Sequence, residues 1–274
     1  MRVLYSDNGT LTDITKKVEN YKSGTFAFNY VAGEDCFYIG SDLPLNHLFF
    51  KFQTLNLVPA TVSVEYWSEG SWTPVVDIMD ETDGFTSSNY IEFTPNKQAF
   101  WRRESTNDQG QSIPDLISVS IYDQFWIKVT LSVDLTPGTT LSWVGNLFSN
   151  DLDLFAELPS LNRPALMSHF QSGKTNWEEQ HVRAADLLIK ELKNRNIIRD
   201  PGQILRREDY RLASVSKCAQ VIFTALGDDY VDDAVRAASE FKARVDSATP
   251  VIDQNMNAIP EVQEKLQKMG FISR

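Results

Sequence analysis

Residues 116–133 read LISVSIYDQFWIKVTLSV, and this stretch decides the fold class of the N-terminal part of the chain. Apolar residues stand at every second position from Phe125 to Val133, with the polar residues Lys128 and Thr130 between them. A period of two places successive side chains on opposite faces of a β-strand. The stretch therefore predicts a strand with one buried face and one solvated face.

Similar runs lie on the N-terminal side of this stretch and just beyond it. They are rich in aromatic and β-branched residues, and Gly, Pro, Asn and Asp separate them at a spacing of roughly ten residues, as in all-β domains. No helical period competes with them, so the sequence predicts a sandwich of antiparallel strands over residues 1–160. The runs are HLFFKFQTL (47–55), TVSVEYW (61–67), NYIEFTP (89–95) and TLSWVGNLF (140–148).

The pattern changes in the C-terminal part of the chain. Two prolines and a Ser/Gly/Asn cluster predict a linker at residues 161–175. Residues 176–274 then have helical periodicity and are predicted to form a helical domain with a flexible C-terminal tail. The fold class is thus α+β and multidomain, with an N-terminal antiparallel β-sandwich followed by a small α-helical bundle.

Three helices are predicted in the C-terminal domain, at 176–196, about 208–226 and about 229–247. Asn176 is a candidate N-cap, because Glu179 follows three residues later as in a capping box. Gly227 is a natural stop for the second helix.

The charge of the chain is concentrated in its first part. Net charge is -11, and residues 1–160 hold nine Lys+Arg against 21 Asp+Glu, a balance of -12. Residues 161–274 hold 17 against 16, a balance of +1. Phosphate binding requires clustered cations, so the N-terminal part is not expected to coat nucleic acid and is expected to repel it.

The cysteines and the hydropathy of the sequence indicate in which cellular compartment the protein is expected. Cys36 and Cys218 are far apart in apolar surroundings, which predicts buried thiols from a reducing compartment rather than a disulfide or a metal site. No segment has the length and apolar character of a membrane span or a signal peptide, so no membrane partner and no membrane location are expected.

Two motifs resemble ligand loops but lack the residues that such loops require. GKT at 173–175 would need a glycine at position 168, where a phosphate loop has its first glycine, and this position is serine. Residues 253–264 carry Asp253, Asn255, Asn257 and Glu264 at the spacing of a calcium loop, but alanine stands where the sharp turn needs glycine. A turn is the favoured interpretation of both, and no cofactor or metal is predicted.

Catalytic constellations are not apparent either. His47, His169 and His181 share no metal-ligand spacing and are interpreted as surface or boundary residues. Without a well-placed base, little supports a Ser or Cys nucleophile. We therefore expect a protein that is not an enzyme.

Five arginines flank the Asp-Pro-Gly turn at 200–202. Their planar guanidinium groups suit a partner's carboxylates or phosphates, and pairing with Glu208 and Asp209 is the alternative. These candidates for contact with a partner or a neighbouring subunit are Arg195, Arg199, Arg206, Arg207 and Arg211.

The densest acidic run lies in SWTPVVDIMDETDGFTSSNYIEF (71–93). Asp77, Asp80, Glu81 and Asp83 could form a cation or acid–base site only with fixed geometry, and the residues around them are turn formers. Adjacency in one loop also does not place two carboxylates across a cleft, as a glycosidase needs. Asp80 is interpreted as an acceptor that caps a turn.

The same region resembles a β-sandwich module in structural proteins of tailed bacteriophages. The similar segments are VEYWSEGSWTPVVDIMDETDGFTSSNYIEFTP (64–95), FWRRES (100–105) and FWIKVTL (125–131). Asn89 stands where glycine is usual, and Lys128 where arginine is common. The matching residues are Trp72, Val75, Asp80, Thr82, Gly84, Phe85, Ser88, Ile91, Phe93 and Pro95, of which Trp72, Asp80, Thr82, Gly84, Phe85 and Pro95 would shape a corner of the sandwich.

The helical part is similar to the small bundle of phage head–tail connector (adaptor) proteins. This resemblance implies a virion protein at the head–tail junction, made in the host cytoplasm, that bridges the portal protein and tail or tail-terminator proteins. It also implies a homo-oligomeric ring, twelvefold by family resemblance, through which DNA passes without specific binding.

Three other functions stay open at this level. One is a structural component of the baseplate or tail fibre. Another is a carbohydrate-binding module with Trp67, Trp72, Tyr90 and Trp101 as a stacking platform, although aromatic residues in a sandwich are more often core. A hydrolase is the last, supported by the acidic loop alone.

Overall fold

The computed structural model describes residues 1–22, 24–94, 101, 103–106, 112–117 and 119–253. These residues hold eleven strands in two antiparallel sheets and six α-helices, so the fold is α+β. The chain divides into two compact units, residues 1–145 and a second unit that begins at Asn146.

The first unit contains all the described strands of the two sheets. The six-stranded sheet has the order β2-β1-β4-β10-β6-β7, and the five-stranded sheet has the order β3-β11-β5-β9-β8. A short helix α1 (Thr15–Val18) lies between the second and third strands. The strands are β1 (Arg2–Asp7), β2 (Thr10–Asp13), β3 (Phe26–Phe28), β4 (Cys36–Ser41), β5 (His47–Thr54), β6 (Val62–Ser68), β7 (Ser71–Pro74), β8 (Asp77–Asp80), β9 (Asn89–Thr94), β10 (Phe125–Leu131) and β11 (Thr139–Gly145).

Aromatic side chains fill the space between the two sheets. Tyr5 of β1 lies 5.5 Å, ring centroid to ring centroid, from Phe28 of β3, and Phe37 of β4 lies 5.1 Å from the same ring. The Phe37 ring also meets Phe85, which follows β8. Burial of such rings is the main stabilising term in a core of this kind.

A second apolar layer covers the outer face of the six-stranded sheet. A short 3-10 helix, Pro114–Leu116, contributes to it, and Ile113 and Leu116 are fully buried there against the sheet. Gly40 of β4 allows this packing, because a Cβ at that position would lie 2.9 Å from the ring of Trp126.

The central strand is shorter than its sequence pattern predicts. β10 is residues 125–131 of the predicted 116–133, and Leu116, the first residue of that stretch, belongs to the 3-10 helix. The strands β1 and β2 lie before HLFFKFQTL (47–55), the first of the runs that predicted strands. The run Val3 to Ser6 is buried on both faces, so it lacks the alternation that marks a strand.

Helices make up the second unit. They are α2 (Asp151–Glu157), α3 (Pro164–Phe170), α4 (Glu178–Asn194), α5 (Glu208–Leu226) and α6 (Val231–Ser247). The last three agree with the predicted helices within about two residues, and Gly227 ends α5 with a φ of 93°. None of the described helices combines the length and hydrophobicity that crossing a bilayer requires.

Two sequence expectations for this unit are corrected. Residues 161–175 are not a linker throughout, because they contain α3, and Leu161 and Met167 are buried in the core of this unit.

The N-cap of α4 is Trp177 rather than Asn176, and it makes no side-chain cap. Capping boxes lie instead at Asn150 and Asp153, where α2 begins, and at Asp200 and Gln203, where a 3-10 helix begins. The predicted C-terminal tail from residue 254 onward lies outside the described residues.

Candidate functional site

The loop after β8 is built around Asp80. Its Oδ1 accepts a hydrogen bond from the Thr82 backbone N at 2.8 Å, and its Oδ2 accepts one from the Gly84 backbone N at 3.0 Å. The Thr82 hydroxyl in turn accepts a hydrogen bond from the Phe85 backbone N at 3.1 Å. Both carboxylate oxygens therefore cap backbone N–H groups, which is the geometry of a turn-capping side chain.

Three successive residues of this loop have left-handed backbone conformations. The φ angles of Asp83, Gly84 and Phe85 are 50°, 64° and 70°. A Cβ on Gly84 would lie 2.3 Å from the Ala60 backbone oxygen, so only glycine fits. The Asn56 side chain holds the loop from the other side, because its Nδ2 donates to the Gly84 oxygen at 2.9 Å.

The neighbouring carboxylates do not join Asp80 in a site. Asp77 is exposed on β8, and Asp83 accepts a hydrogen bond from the hydroxyl of Thr86. In the part of the chain that the structure describes, no three His, Cys, Asp or Glu side chains are close enough together to hold a metal ion. Pro95, the last residue of the predicted corner, lies outside the described residues.

Replacing Asp80 by alanine is expected to lower the free energy of unfolding by about 0.5–2 kcal/mol, as for other capping side chains. Two backbone N–H groups lose their acceptor in this variant. Urea denaturation followed by tryptophan fluorescence measures the change. The control is Asp77→Ala, at an exposed position, which is expected to change stability by less than about 0.5 kcal/mol. Equal effects of the two variants would contradict the capping role.

A groove of about 620 Å³ lies on the outer face of the six-stranded sheet. Cys36, Tyr38 and Lys128 of the sheet line it, together with Asp115 of the 3-10 helix. Asp115 Oδ2 accepts hydrogen bonds from the Tyr38 hydroxyl at 3.1 Å and the Trp72 Nε1 at 2.9 Å, and Lys128 Nζ lies 3.6 Å from it. This carboxylate therefore joins the segment over the sheet to three strands.

Of the described residues that line the groove, neither Cys36 nor Tyr38 is an activated nucleophile. Burial raises the pKa of the Cys36 thiol, so the thiol stays protonated at neutral pH. Burial also raises the pKa of the Tyr38 phenol, and the adjacent Cys36 adds to the shift. Tyr38 is therefore a hydrogen-bond donor to Asp115 rather than a base.

Replacing Asp115 by alanine is expected to lower the free energy of unfolding by about 0.5–1.5 kcal/mol, because the Tyr38 hydroxyl and the Trp72 indole lose their acceptor and Lys128 loses its counter-charge. Chemical denaturation measures the change. Glu34→Ala, at an exposed position in the same groove, is the matched control and is expected to have an effect below about 0.5 kcal/mol. A loss as small for Asp115→Ala would show that the carboxylate does not hold the segment.

Most of the five candidate arginines face carboxylates of their own chain. Arg195 pairs with Glu191 and Asp246, and Arg206 Nη2 lies 2.8 Å from Asp209 Oδ1. The charge-assisted hydrogen bond to Glu191 raises the pKa of Arg195.

The remaining arginines differ in their exposure. Arg207 is buried, with Nη1 3.6 Å from Asp153 Oδ2, and Arg211 pairs with both Asp153 and Glu208. Arg199 is exposed, and its backbone N donates to Gln203. Of the predicted contact residues, Arg199 is thus the best placed to meet another molecule.

Two of the three histidines are buried, which corrects their interpretation as surface or boundary residues. His47 is 4% exposed, with Nδ1 2.9 Å from Asn46 Oδ1. His181 is 0% exposed. His169 is exposed.

His181 belongs to a buried polar chain that the sequence pattern did not reveal. Ser149 Oγ lies 2.9 Å from its Nδ1 and 2.8 Å from Ser214 Oγ. His181 Nε2 lies 3.3 Å from Asp151 Oδ1, without hydrogen-bond alignment. The residue types match a hydrolytic triad, but Ser149 and His181 are fully buried, so a substrate does not reach the hydroxyl in this conformation. These contacts between buried polar side chains link α2, α4 and α5.

The four rings of the predicted sugar platform do not share one exposed surface. Trp67, Tyr90 and Trp101 are buried, at 4%, 0% and 6% exposure. Trp72 is half-buried, and its ring packs edge-on against Trp67 and tilted against Tyr38. Their contacts are those of core aromatic residues.

No family model, no curated protein and no solved structure matches this chain. The geometry of the described residues, together with the sequence resemblance, therefore carries the functional argument.

Proposed function

We propose that this protein is a structural component of the neck of a tailed bacteriophage, with a β-sandwich followed by a helical bundle. It would sit at the head–tail junction of the virion, bridge the portal protein and the tail or tail-terminator proteins, and let DNA pass. One observation supports the proposal most directly. The residues of the phage-like motif form a closely packed, hydrogen-bonded loop, as expected of a motif with a structural role. They are Asp80, Thr82, Gly84 and Phe85.

Electrostatics support a passage for DNA rather than a DNA-binding surface. The balance of -12 over residues 1–160 disfavours contact with phosphates, so DNA would move past this part without adhering. The arginines of the helical unit are largely held by its own carboxylates, and Arg199 remains exposed for a partner such as the portal protein.

Binding to the portal protein of the same phage tests the proposal. The purified chain is expected to bind portal particles in native mass spectrometry, and cryo-electron microscopy of intact virions is expected to place it directly below the portal. Arg199→Glu is expected to weaken binding, whereas Arg236→Glu, an exposed arginine elsewhere in this unit, is the control. A chain that never binds portal particles and is missing from the neck density would refute the proposal.

The same images separate the main rival function. A baseplate or tail-fibre component would appear at the far end of the tail. A carbohydrate-binding module would bind a glycan array and would lose binding in Trp72→Ala without unfolding.

A further inference from the structure

The strand β8 is an open edge of the five-stranded sheet and has two apolar residues between two aspartates. Val76, Ile78 and Met79 are 57%, 39% and 58% exposed, and Ile78 and Met79 point to opposite faces of the strand. Among the described residues, β8 pairs with β9 alone. An exposed apolar edge strand is a template for pairing with another chain, and soluble proteins usually block or cover such edges.

Backbone groups of β8 are available for such pairing. The Glu81 backbone N donates to the Tyr90 oxygen, which fixes the hydrogen-bonded positions of the β8–β9 ladder. These positions alternate in an antiparallel pair, so the N–H and C=O of Ile78 point away from β9. The outer edge of β8 therefore presents both side chains and main-chain groups.

The opposite edge of the same sheet is β3. Within the described residues, β3 pairs with β11 alone, and Ala27 at its centre is exposed. Lys17 of α1 lies near this strand, with Nζ 5.2 Å from the centroid of the Phe26 ring. Each copy of the sheet thus carries one free edge at β3 and another at β8.

The charges of the two edges are complementary. Residues 76–94, which contain β8 and β9, hold five Asp or Glu and no Lys or Arg. Residues 16–22, next to β3, hold three of the nine Lys and Arg of residues 1–160. Opposite potentials select a partner and an orientation, and like charges oppose the wrong pairing.

We propose that β8 of one copy pairs with β3 of a second copy of this chain. The contact is head-to-tail, so it extends the sheet from one copy to the next, as a ring requires when the rotation between copies closes. Pairing of β8 with β8 would instead bring two acidic strands together, which costs free energy. The inference names the contact between copies in the proposed neck ring and rests on that function for its biological setting.

Sedimentation velocity and native mass spectrometry of the purified full chain test the contact. The wild type is expected to form species larger than a dimer as concentration rises. Met79→Lys places a charge on the edge and is expected to raise the dissociation constant about tenfold or more. The matched control is Leu57→Lys, which changes a more exposed apolar residue outside the strands and is expected to leave association unchanged.

Charge exchange tests the direction of the contact. Asp77→Lys and Lys17→Glu are each expected to weaken association, and the double variant is expected to recover part of it. Circular dichroism checks that every variant is folded. A wild type that stays monomeric or stops at a dimer would overturn the proposal, as would association unaffected by Met79→Lys. If the copies do not associate through β8 and β3 but the chain binds the portal protein, the proposed contact is wrong and the neck function stands. If the copies associate but the chain does not bind the portal protein, only the neck function is wrong.

Discussion

Replacing Phe85 by alanine is expected to lower the free energy of unfolding of the N-terminal unit by about 3–5 kcal/mol. The Phe85 ring is fully buried and lies 4.8 Å from the ring of Phe52 and 5.4 Å from that of Phe50, centroid to centroid. Its truncation leaves a cavity where the two sheets meet. Alanine also keeps the strained left-handed backbone, with a φ of 70°, so nothing offsets the lost packing.

Urea denaturation followed by tryptophan fluorescence measures this effect well, because five of the six tryptophans lie in residues 1–145. Phe85→Leu is the control that retains most of the apolar volume and is expected to lose clearly less. Leu57→Ala removes an exposed side chain and is expected to lose less than about 0.5 kcal/mol. A loss below 1 kcal/mol for Phe85→Ala would mean that the corner is not part of the core.

Trp177→Ala is expected to lower the free energy of unfolding of the helical unit by about 3–5 kcal/mol. The indole is fully buried, packs at 5.1 Å against the ring of Phe170, and donates from Nε1 to the Leu161 oxygen at 3.0 Å. Its removal leaves a cavity and also an unpaired buried carbonyl, whose cost adds to the lost packing.

Loss of helical circular dichroism on heating measures the Trp177 effect. Trp177→Phe keeps an aromatic ring but cannot donate to Leu161, so it is expected to fall between the wild type and the alanine variant. If the phenylalanine variant were as unstable as the alanine variant, the hydrogen bond rather than ring packing would dominate. Neighbouring Lys174, whose pKa is lowered by burial, lies over the same ring and is expected to lose order with it.

Sequence pattern located two elements from local residues alone. The alternation from Ile127 to Leu131 indicates β10, although Trp126 on the other face of this strand is buried as well, and α5 has periodic apolar residues and a glycine stop. The pattern failed for β1, which is buried on both faces, and for α3, whose proline begins the helix at its first residue instead of breaking it. In these cases tertiary packing, which local sequence does not encode, decides the structure.

The candidate sites show the same limit. The turn chemistry of Asp80 is local, because the backbone N–H groups that donate to its carboxylate lie within four residues, and sequence reasoning could identify it. The partners of Asp115 and His181 lie tens of residues away along the chain, so no spacing in the sequence indicated them. Arginine pairing with Asp153 and Asp246 was hidden for the same reason, whereas the nearby Glu208 and Asp209 were visible as alternatives.

The buried chain of Ser149, His181 and Ser214 has a consequence for how this protein can change over time. Each of these side chains hydrogen-bonds to its neighbour in the network. Replacing one of them by an apolar residue therefore leaves a buried polar atom of its neighbour without a hydrogen bond. Replacing this network in evolution therefore requires several substitutions, and proteins that carry only some of them are expected to be less stable. These three positions are therefore expected to vary together among descendants of this sequence, as a single inherited unit.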